Sequence, residues 1–353
     1  MILKKVLVLV YVLAPSIVFG NEILEGSKSA FEDLKSQTVQ NWQSYKTIQD
    51  DNWEEYRSNI QKKWNDGLMP SAKTYVEYWN DDQSRLKVDY EKGNIQLQIL
   101  SKDEIPSDRI VARLKTELLQ KFNLIDSQAS NVSGETLSIK NLDSAMSEFA
   151  KNIVIDRKFK GTDGVERKFY QIDIPMVPNH VKKRAAQFLP TVTFWAQKYS
   201  LPVGLILAIM WQESAFNPLA RSHIPAFGLM QIVPKYAGLD VKAYLNESVN
   251  VDGSFLYAAE NNIKYGVSYL NILSTQSFAS IKSFENRVPF IIAGYNWGPN
   301  RLLKHLKKGS ISLTSARDIK NQIIKIAPME TKDYLAKVVA KWKQIDEDGW
   351  LNL

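Results

Sequence analysis

The apolar residues of this chain change period at Pro178-Asn179, and that change limits what the chain can fold into. Ahead of it, Arg85-Leu86-Lys87-Val88-Asp89-Tyr90 and Asn94-Ile95-Gln96-Leu97-Gln98-Ile99 alternate apolar and polar residues, as half-buried strands do. Glu91-Lys92-Gly93 joins these two as a hairpin; Thr74 to Trp79 reads as another strand, and Lys168 to Val177 as a closing one. Pro106 to Phe122 reads as a helix with Ile110, Leu114 and Leu118 on one face, followed by a polar loop from Asp126 to Ser138. After Pro178, apolar residues recur at helical spacing through Ala185, Leu189, Val192, Ala196 and Tyr199. Pro190 is expected to kink or split that helix. The 353 residues suit two domains at roughly 100–200 residues each. The expectation is a small α+β domain over 71–177 and a mostly α domain over 178–353.

The residues before Lys73 follow a third pattern. Phe31, Trp42, Trp53 and Trp64 recur every eleven residues, and Leu34, Tyr45 and Tyr56 repeat three positions further on. Eleven residues make close to three helical turns, so the aromatics form one stripe on a long helix from about Ser27 to Asp66, within a segment 21–70. Gly67 and Pro70 end it. Its other faces carry mixed charge (Lys35, Lys46, Glu54, Glu55, Arg57, Lys62), unlike a basic membrane-surface helix. The stripe is expected to pack on the following domain, on a second copy, or on a partner protein; stacking on sugar rings is the alternative.

Residues 1–20 read as a secretory signal peptide. Lys4 and Lys5 precede an apolar run that ends in Val18-Phe19-Gly20, with cleavage expected after Gly20. The run holds about 14 apolar residues and Pro15, short of the ~20 that span a bilayer. An exported, periplasmic protein follows, its formal charge falling from +7 to +5 once Lys4 and Lys5 are lost. That excess suits an anionic polymer, and export argues against nucleic acid as a partner. The absence of cysteine excludes disulfides, thiolate metal sites, a cysteine nucleophile and a lipid on an N-terminal cysteine. His180, His223 and His305 lie far apart, so neither a metal site nor a cofactor is expected.

The chemistry centres on Glu213. Leu205, Ile206, Ile209 and Glu213 share one face of a helix that opens at Pro202 and stops before Asn217-Pro218. A carboxylate on an apolar stripe is costly unless paired or protonated. Desolvation and the negative end of the helix dipole both raise its pKa, as a general acid at neutral pH requires.

Glu213-Ser214-Ala215-Phe216-Asn217-Pro218 is followed by Gly228-Leu229-Met230-Gln231, then by Asn262-Ile263 with Gly266 and Tyr269-Leu270. Gly294-Tyr295-Asn296-Trp297-Gly298-Pro299 and Glu330-Thr331-Lys332-Asp333-Tyr334 complete the series. Their order and spacing resemble the soluble-lytic-transglycosylase domain, a lysozyme-like fold, over roughly 178–345. The strands from Tyr75 to Ile99, with Met176-Val177-Pro178-Asn179-His180 and Lys183-Arg184-Ala185, resemble the N-terminal domain of the membrane-bound lytic murein transglycosylase C family.

The resemblance implies peptidoglycan glycan strands as substrate. Their β-1,4 bond between N-acetylmuramic acid and N-acetylglucosamine would be cleaved without water, leaving a 1,6-anhydromuramoyl end. It implies Glu213 as the acid, Tyr334 as the group that orients it, and Ser222 as a serine near the carboxyl. Gln231 and Met230 would line the sugar groove, and Tyr295 and Asn296 would contact the N-acetyl side. The chain departs from the pattern at Ala215 and Ile224, where serines are common, at Trp297, where a small residue is usual, and in having no lipidation cysteine. A hydrolytic muramidase on the same fold is the alternative, with Asp240, Glu247, Asp252 or Glu260 as nearby second acids. A non-catalytic murein-binding or assembly protein is the third reading.

Overall fold

Strands β1 (Thr74–Trp79), β2 (Ser84–Asp89), β3 (Asn94–Ser101), β4 (Val154–Lys160) and β5 (Glu166–Pro175) form one antiparallel sheet in the order β1-β2-β3-β5-β4. The computed structural model describes residues 54–128, 154–309 and 311–352. The chain divides into two compact units, Met1–Ile60 and Gln61–Leu353. Of the first, residues 54–60 are described and are helical. The signal segment, Phe31, Trp42 and Trp53 lie outside the described residues.

The alternation seen in the sequence is the sheet's two faces. Leu86 faces Leu97, and Ile95 and Leu97 face Ile174 and Ile172. These residues are buried together with Val88, Ile99 and Tyr170 against Ile110, Leu114 and Leu118 of helix α1 (Ser107–Gln128). The opposite face is a ladder of polar side chains. Gln98 Nε2 donates to Gln171 Oε1 at 2.6 Å, and Gln96 Nε2 donates to Asp173 Oδ1 at 2.7 Å. β4 was not anticipated, and α1 carries on through Asp126, where a loop was expected to begin.

The expected helix through Asp66 stops earlier. Residues 54–63 are helical, and Trp64 has left the helix. Its indole is 0% exposed, lies edge-on to Tyr78 and Phe169, carries the Arg85 guanidinium at 4.2 Å, and donates to Asp82 O at 2.6 Å. The end carbonyls of Gln61 and Lys62 accept from Thr162 Oγ1 and Asp163 N in the β4–β5 turn. The turn thus supplies donors that a helix terminus lacks.

From His180 onward the chain is helical. Helices α2 (His180–Tyr199), α3 (Val203–Ser214), α4 (Leu239–Tyr244), α5 (Gly253–Tyr257), α6 (Ala259–Ile272), α7 (Phe284–Trp297), α8 (Pro299–Lys307), α9 (Ala316–Ile326) and α10 (Met329–Glu347) surround one apolar core. α3 runs through its middle, with Leu205 to Met210 all buried, and α10 packs along it. α2 continues through Pro190 without a break. Pro190 is exposed, so the Ala186 carbonyl deprived of its donor can turn to water.

Gly266 of α6 lies where a methyl group has no room: a Cβ there would sit 2.1 Å from Met230 Sδ and 2.8 Å from Met230 Cβ. Swinging the thioether aside cannot relieve the second clash. Gly266→Ala should therefore destabilise the fold by about 1–3 kcal/mol through overpacking, read as a lower midpoint in thermal unfolding.

Candidate active site

Glu213 occupies the last turn of α3, and the chain reverses immediately after it. Ala215 and Phe216 both take left-handed backbone, φ 50° and 61°, a conformation that L-residues with a Cβ adopt only when their surroundings hold them. The turn is tied on several sides. Ala215 N donates to Trp211 O at 3.0 Å, and Ser214 Oγ donates to Leu229 O at 2.7 Å. Asn217 Nδ2 donates to Ala72 O at 3.3 Å, and the Arg184 guanidinium donates to Ala215 O.

The Tyr334 hydroxyl, reaching over from α10, donates to Glu213 Oε1 at 2.6 Å. Both face a cavity of about 280 Å³ lined also by Gln212, Asn296, Glu330, Asp333 and Lys337. Burial raises the Glu213 pKa to about 7 and outweighs the Tyr334 hydrogen bond and the positive charges of Lys73 and Lys341, which lower it; Glu330 adds to the rise. At neutral pH the carboxyl is therefore present in both protonation states, which suits a group that gives a proton and takes one back.

Other residues singled out in the sequence fall into two groups. Tyr295 and Asn296 lie beside the site. Tyr295 OH donates to Met230 O at 2.7 Å, and its pKa is raised by burial and by the neighbouring Glu213. Asn296 Oδ1 accepts from Thr331 Oγ1 at 2.7 Å, and its Nδ2 donates to Glu330 Oε1 at 3.3 Å. Met230, by contrast, is fully buried, with its thioether against Gly266, so its backbone rather than its side chain serves the site. Ser222 bonds within its own loop, donating to Ile224 O and accepting from Ala226 N, and is not part of the cavity lining.

Gln231 takes left-handed backbone, φ 47°. Its Nε2 donates to Gly228 O at 3.0 Å and to Ala220 O at 3.2 Å, leaving Oε1 buried without a partner. Asn262 knots this segment: its Oδ1 accepts from Met230 N at 2.7 Å, and its Nδ2 donates to Phe227 O and Leu256 O. Of the four nearby acids considered as second carboxylates, Glu247 is tied to Lys264 and Tyr265, and Asp252 accepts from Phe255 N as a helix cap. The carboxylates in the cavity are instead Glu330 and Asp333. With Tyr334 and Lys337 they fall at i, i+3, i+4 and i+7, a spacing that would have shown one shared face of α10.

The chain matches two family models: the transglycosylase SLT domain over residues 190–316, and the membrane-bound lytic murein transglycosylase C N-terminal domain over residues 38–131. Two similar proteins are the membrane-bound lytic murein transglycosylases C of Pectobacterium atrosepticum and Serratia proteamaculans. Each is 30% identical, over 80% and 79% of this chain respectively and 85% of the relative. The solved 70 kDa soluble lytic transglycosylase of Escherichia coli is 26% identical over 46% of this chain and 25% of that one, with a TM-score of 0.39. The lytic transglycosylase of Pseudomonas aeruginosa is 27% identical over 43% and 23%, with a TM-score of 0.36. The family models and the two 30% identical relatives together define a lytic transglycosylase. Within that class, the chain belongs to the membrane-bound lytic murein transglycosylase C family.

The Tyr334 hydrogen bond favours the ionised form of Glu213, so Tyr334→Phe should move the Glu213 titration upward from about 7. A ¹³C-carboxyl NMR titration reads this directly. The raised pKa also sets the pH dependence of stability. The folded chain holds this proton up to about pH 7, whereas the unfolded chain releases it near 4.5. Stability from this group therefore falls as pH rises between those values. Glu213→Gln should flatten that part of the unfolding-versus-pH curve.

Proposed function

We propose that Glu213 is the one acid–base group of this peptidoglycan lytic transglycosylase. Protonated, Glu213 gives its proton to the glycosidic oxygen between N-acetylmuramic acid and N-acetylglucosamine as the C1–O bond breaks. The muramoyl C6 hydroxyl then bonds to C1, its proton passes to the Glu213 carboxylate, and a 1,6-anhydro ring forms. The acid is regenerated and no water is consumed. The observation that carries this reading is the Glu213 carboxyl, its pKa raised to about 7 by burial, held by the Tyr334 phenol at the wall of a cavity.

Tyr334 orients the acid, and its hydroxyl hands Glu213 a hydrogen bond only when Oε1 faces it. Gln231, whose buried Oε1 lacks a donor, and Asn296, at the cavity wall, serve the sugar's amide and hydroxyl groups. Tyr295 sets the position of the Met230–Gln231 segment through the Met230 carbonyl. Ser222 shapes the loop that follows the acid. Glu330 and Asp333 favour a second reading, hydrolysis, because a carboxylate in the same cavity could activate water as in a two-carboxyl glycosidase.

Mass spectrometry of digested murein separates these readings. Released fragments should carry anhydro ends, lighter by one water than hydrolysed ones; hydrated ends throughout would transfer the chemistry to a Glu330- or Asp333-activated water. Glu213→Gln should fold normally by circular dichroism and lose at least about 10²-fold in turnover, since the amide neither gives nor recovers a proton.

The relatives are named membrane-bound, and among the described residues no helix is long and apolar enough to cross a membrane. We place the mature chain in the periplasm, starting at Asn21, and assign to the repeat's aromatics other than the buried Trp64 (Phe31, Trp42 and Trp53) the contact with a second copy or a wall-machinery partner. Cell fractionation after a high-salt wash, with N-terminal sequencing, should find a chain beginning at Asn21 in the soluble fraction. A chain that keeps Met1 and stays with membranes would make the apolar segment an anchor.

A further inference from the structure

Two consecutive residues at the turn of the β2–β3 hairpin, Tyr90 and Glu91, reach the end of the catalytic helix through two different cations. The Tyr90 carbonyl accepts from Arg184 Nη2, and the same guanidinium donates to Ala215 O from Nη2 at 3.1 Å and from Nε at 3.3 Å. Its Nη1 meets His180 Nδ1 at 2.9 Å. The Glu91 carboxylate pairs with Lys73 at 2.6 Å and with Lys341 at 3.6 Å. Lys341, on α10 beyond Tyr334, donates to Gln212 Oε1 at 3.0 Å and to Trp211 O at 3.4 Å. The cations thus hold residues 211–212 on one side of Glu213 and residue 215 on the other, and neither bonds to Glu213 itself.

Arg184 is 2% exposed, and among the described residues no carboxylate pairs with it. Burial lowers its pKa to about 10, and burial together with Arg184 lowers that of His180 to about 4, leaving the imidazole neutral. An apolar side chain would close this interface at less cost than a guanidinium without a counter-charge. What an apolar side chain lacks is a planar fork that fixes one carbonyl of the sheet relative to one carbonyl of the strained turn.

We infer that Arg184 and Lys341 are positioning residues through which the β2–β3 hairpin holds the end of α3, and so the Glu213 carboxyl, against Tyr334. The sheet domain is on this account part of the catalytic apparatus. The inference rests on Glu213 being the acid. Among the described residues, the charged or titratable groups around Glu213 are Tyr334, Glu330 and Lys341 of α10, with Asp333 and Lys337 across the same cavity, Tyr295 of α7, and Lys73 ahead of β1.

The test uses the full chain, with the Glu213 carboxyl titrated by ¹³C NMR and murein turnover measured in parallel. Arg184→Lys keeps the charge, but one ammonium cannot bridge Tyr90 O and Ala215 O as the fork does. Its kcat should fall about tenfold with KM changed by less than about twofold, since a small misplacement of the acid costs rate rather than binding. Its Glu213 midpoint should drop toward the ordinary carboxyl range, because a released helix end lets water in. Lys341→Met removes the tie and a positive charge together, which push the midpoint in opposite directions, so it is read by kcat, which should fall, while Lys341→Arg should keep the wild-type value. Glu91→Gln, on a half-exposed side chain, loosens the second tie without touching the core and should lower both kcat and the midpoint. Wild-type kcat and midpoint in folded Arg184→Lys and Glu91→Gln would overturn the inference; if Arg184→Lys does not fold, Glu91→Gln decides it. A wild-type chain that releases no murein fragments would count against the proposed function, while the NMR midpoints would still decide the clamp.

Discussion

A carboxyl group held largely out of water, yet able to ionise near neutral pH, is the costly feature around which the helical half is arranged. Its burial is possible because α3 is apolar from Leu205 to Met210 and is enclosed by other helices, so Glu213 is largely shielded from bulk water although it opens on the cavity. It stays ionisable because Tyr334 and two lysines offset part of the desolvation. Without the phenol the group would remain a neutral acid over a wider pH range; without the apolar surroundings it would be an ordinary surface glutamate. α10 supplies the phenol, one neighbouring carboxylate and one lysine from a single rigid element, so these influences move together.

Much of this was legible in the sequence because it depends on local periodicity. The strands around Leu86 and Leu97, the buried face of α3 and the isolated carboxyl at its end all follow from counting residues. β4 was missed although Asp163-Gly164 marks a turn ahead of β5: Val154 to Lys160 is rich in charged residues and alternates weakly, and its pairing with β5 is interrupted by a bulge between Ile155 and Lys158. The end of the helix at residue 63 was misjudged because what stops it is the burial of Trp64 beneath Tyr78 and Phe169, a tertiary event. In the site, Glu213 and Tyr334 were found from resemblance and spacing, and they meet at 2.6 Å. Lys73 could not be found that way: its charge acts on an acid more than a hundred residues distant, and only folding brings it near. Met230 was expected to line the sugar groove and Ser222 to lie near the carboxyl; the Met230 side chain packs against Gly266, and the Ser222 hydroxyl bonds to Ile224 O.

The departures from the family pattern have physical readings. Ala215 is buried among the apolar residues of the sheet domain, where a serine would bring an unneeded hydroxyl into the core. Ile224 is exposed and contributes a carbonyl to its loop. Trp297 stacks on His305 with ring centroids 6.0 Å apart, which supports the junction between α7 and α8. None of the three displaces Glu213 from Tyr334.

The sheet order has a consequence for how the chain reaches this state. β1, β2 and β3 are complete as a meander early in the chain, but β3 then waits for β5, which pairs with it only across a long insertion. Closing so large a loop is slow, and until it happens the edge of β3 displays Ile95, Leu97 and Ile99 beside unpaired backbone groups. Such an edge is a template for pairing between chains. Because α2 begins almost directly after β5, Arg184 and Glu213 lie C-terminal to the strand that seals this edge. A chain that has not yet paired β5 therefore offers a neighbouring copy a strand to join, whatever the state of its catalytic end.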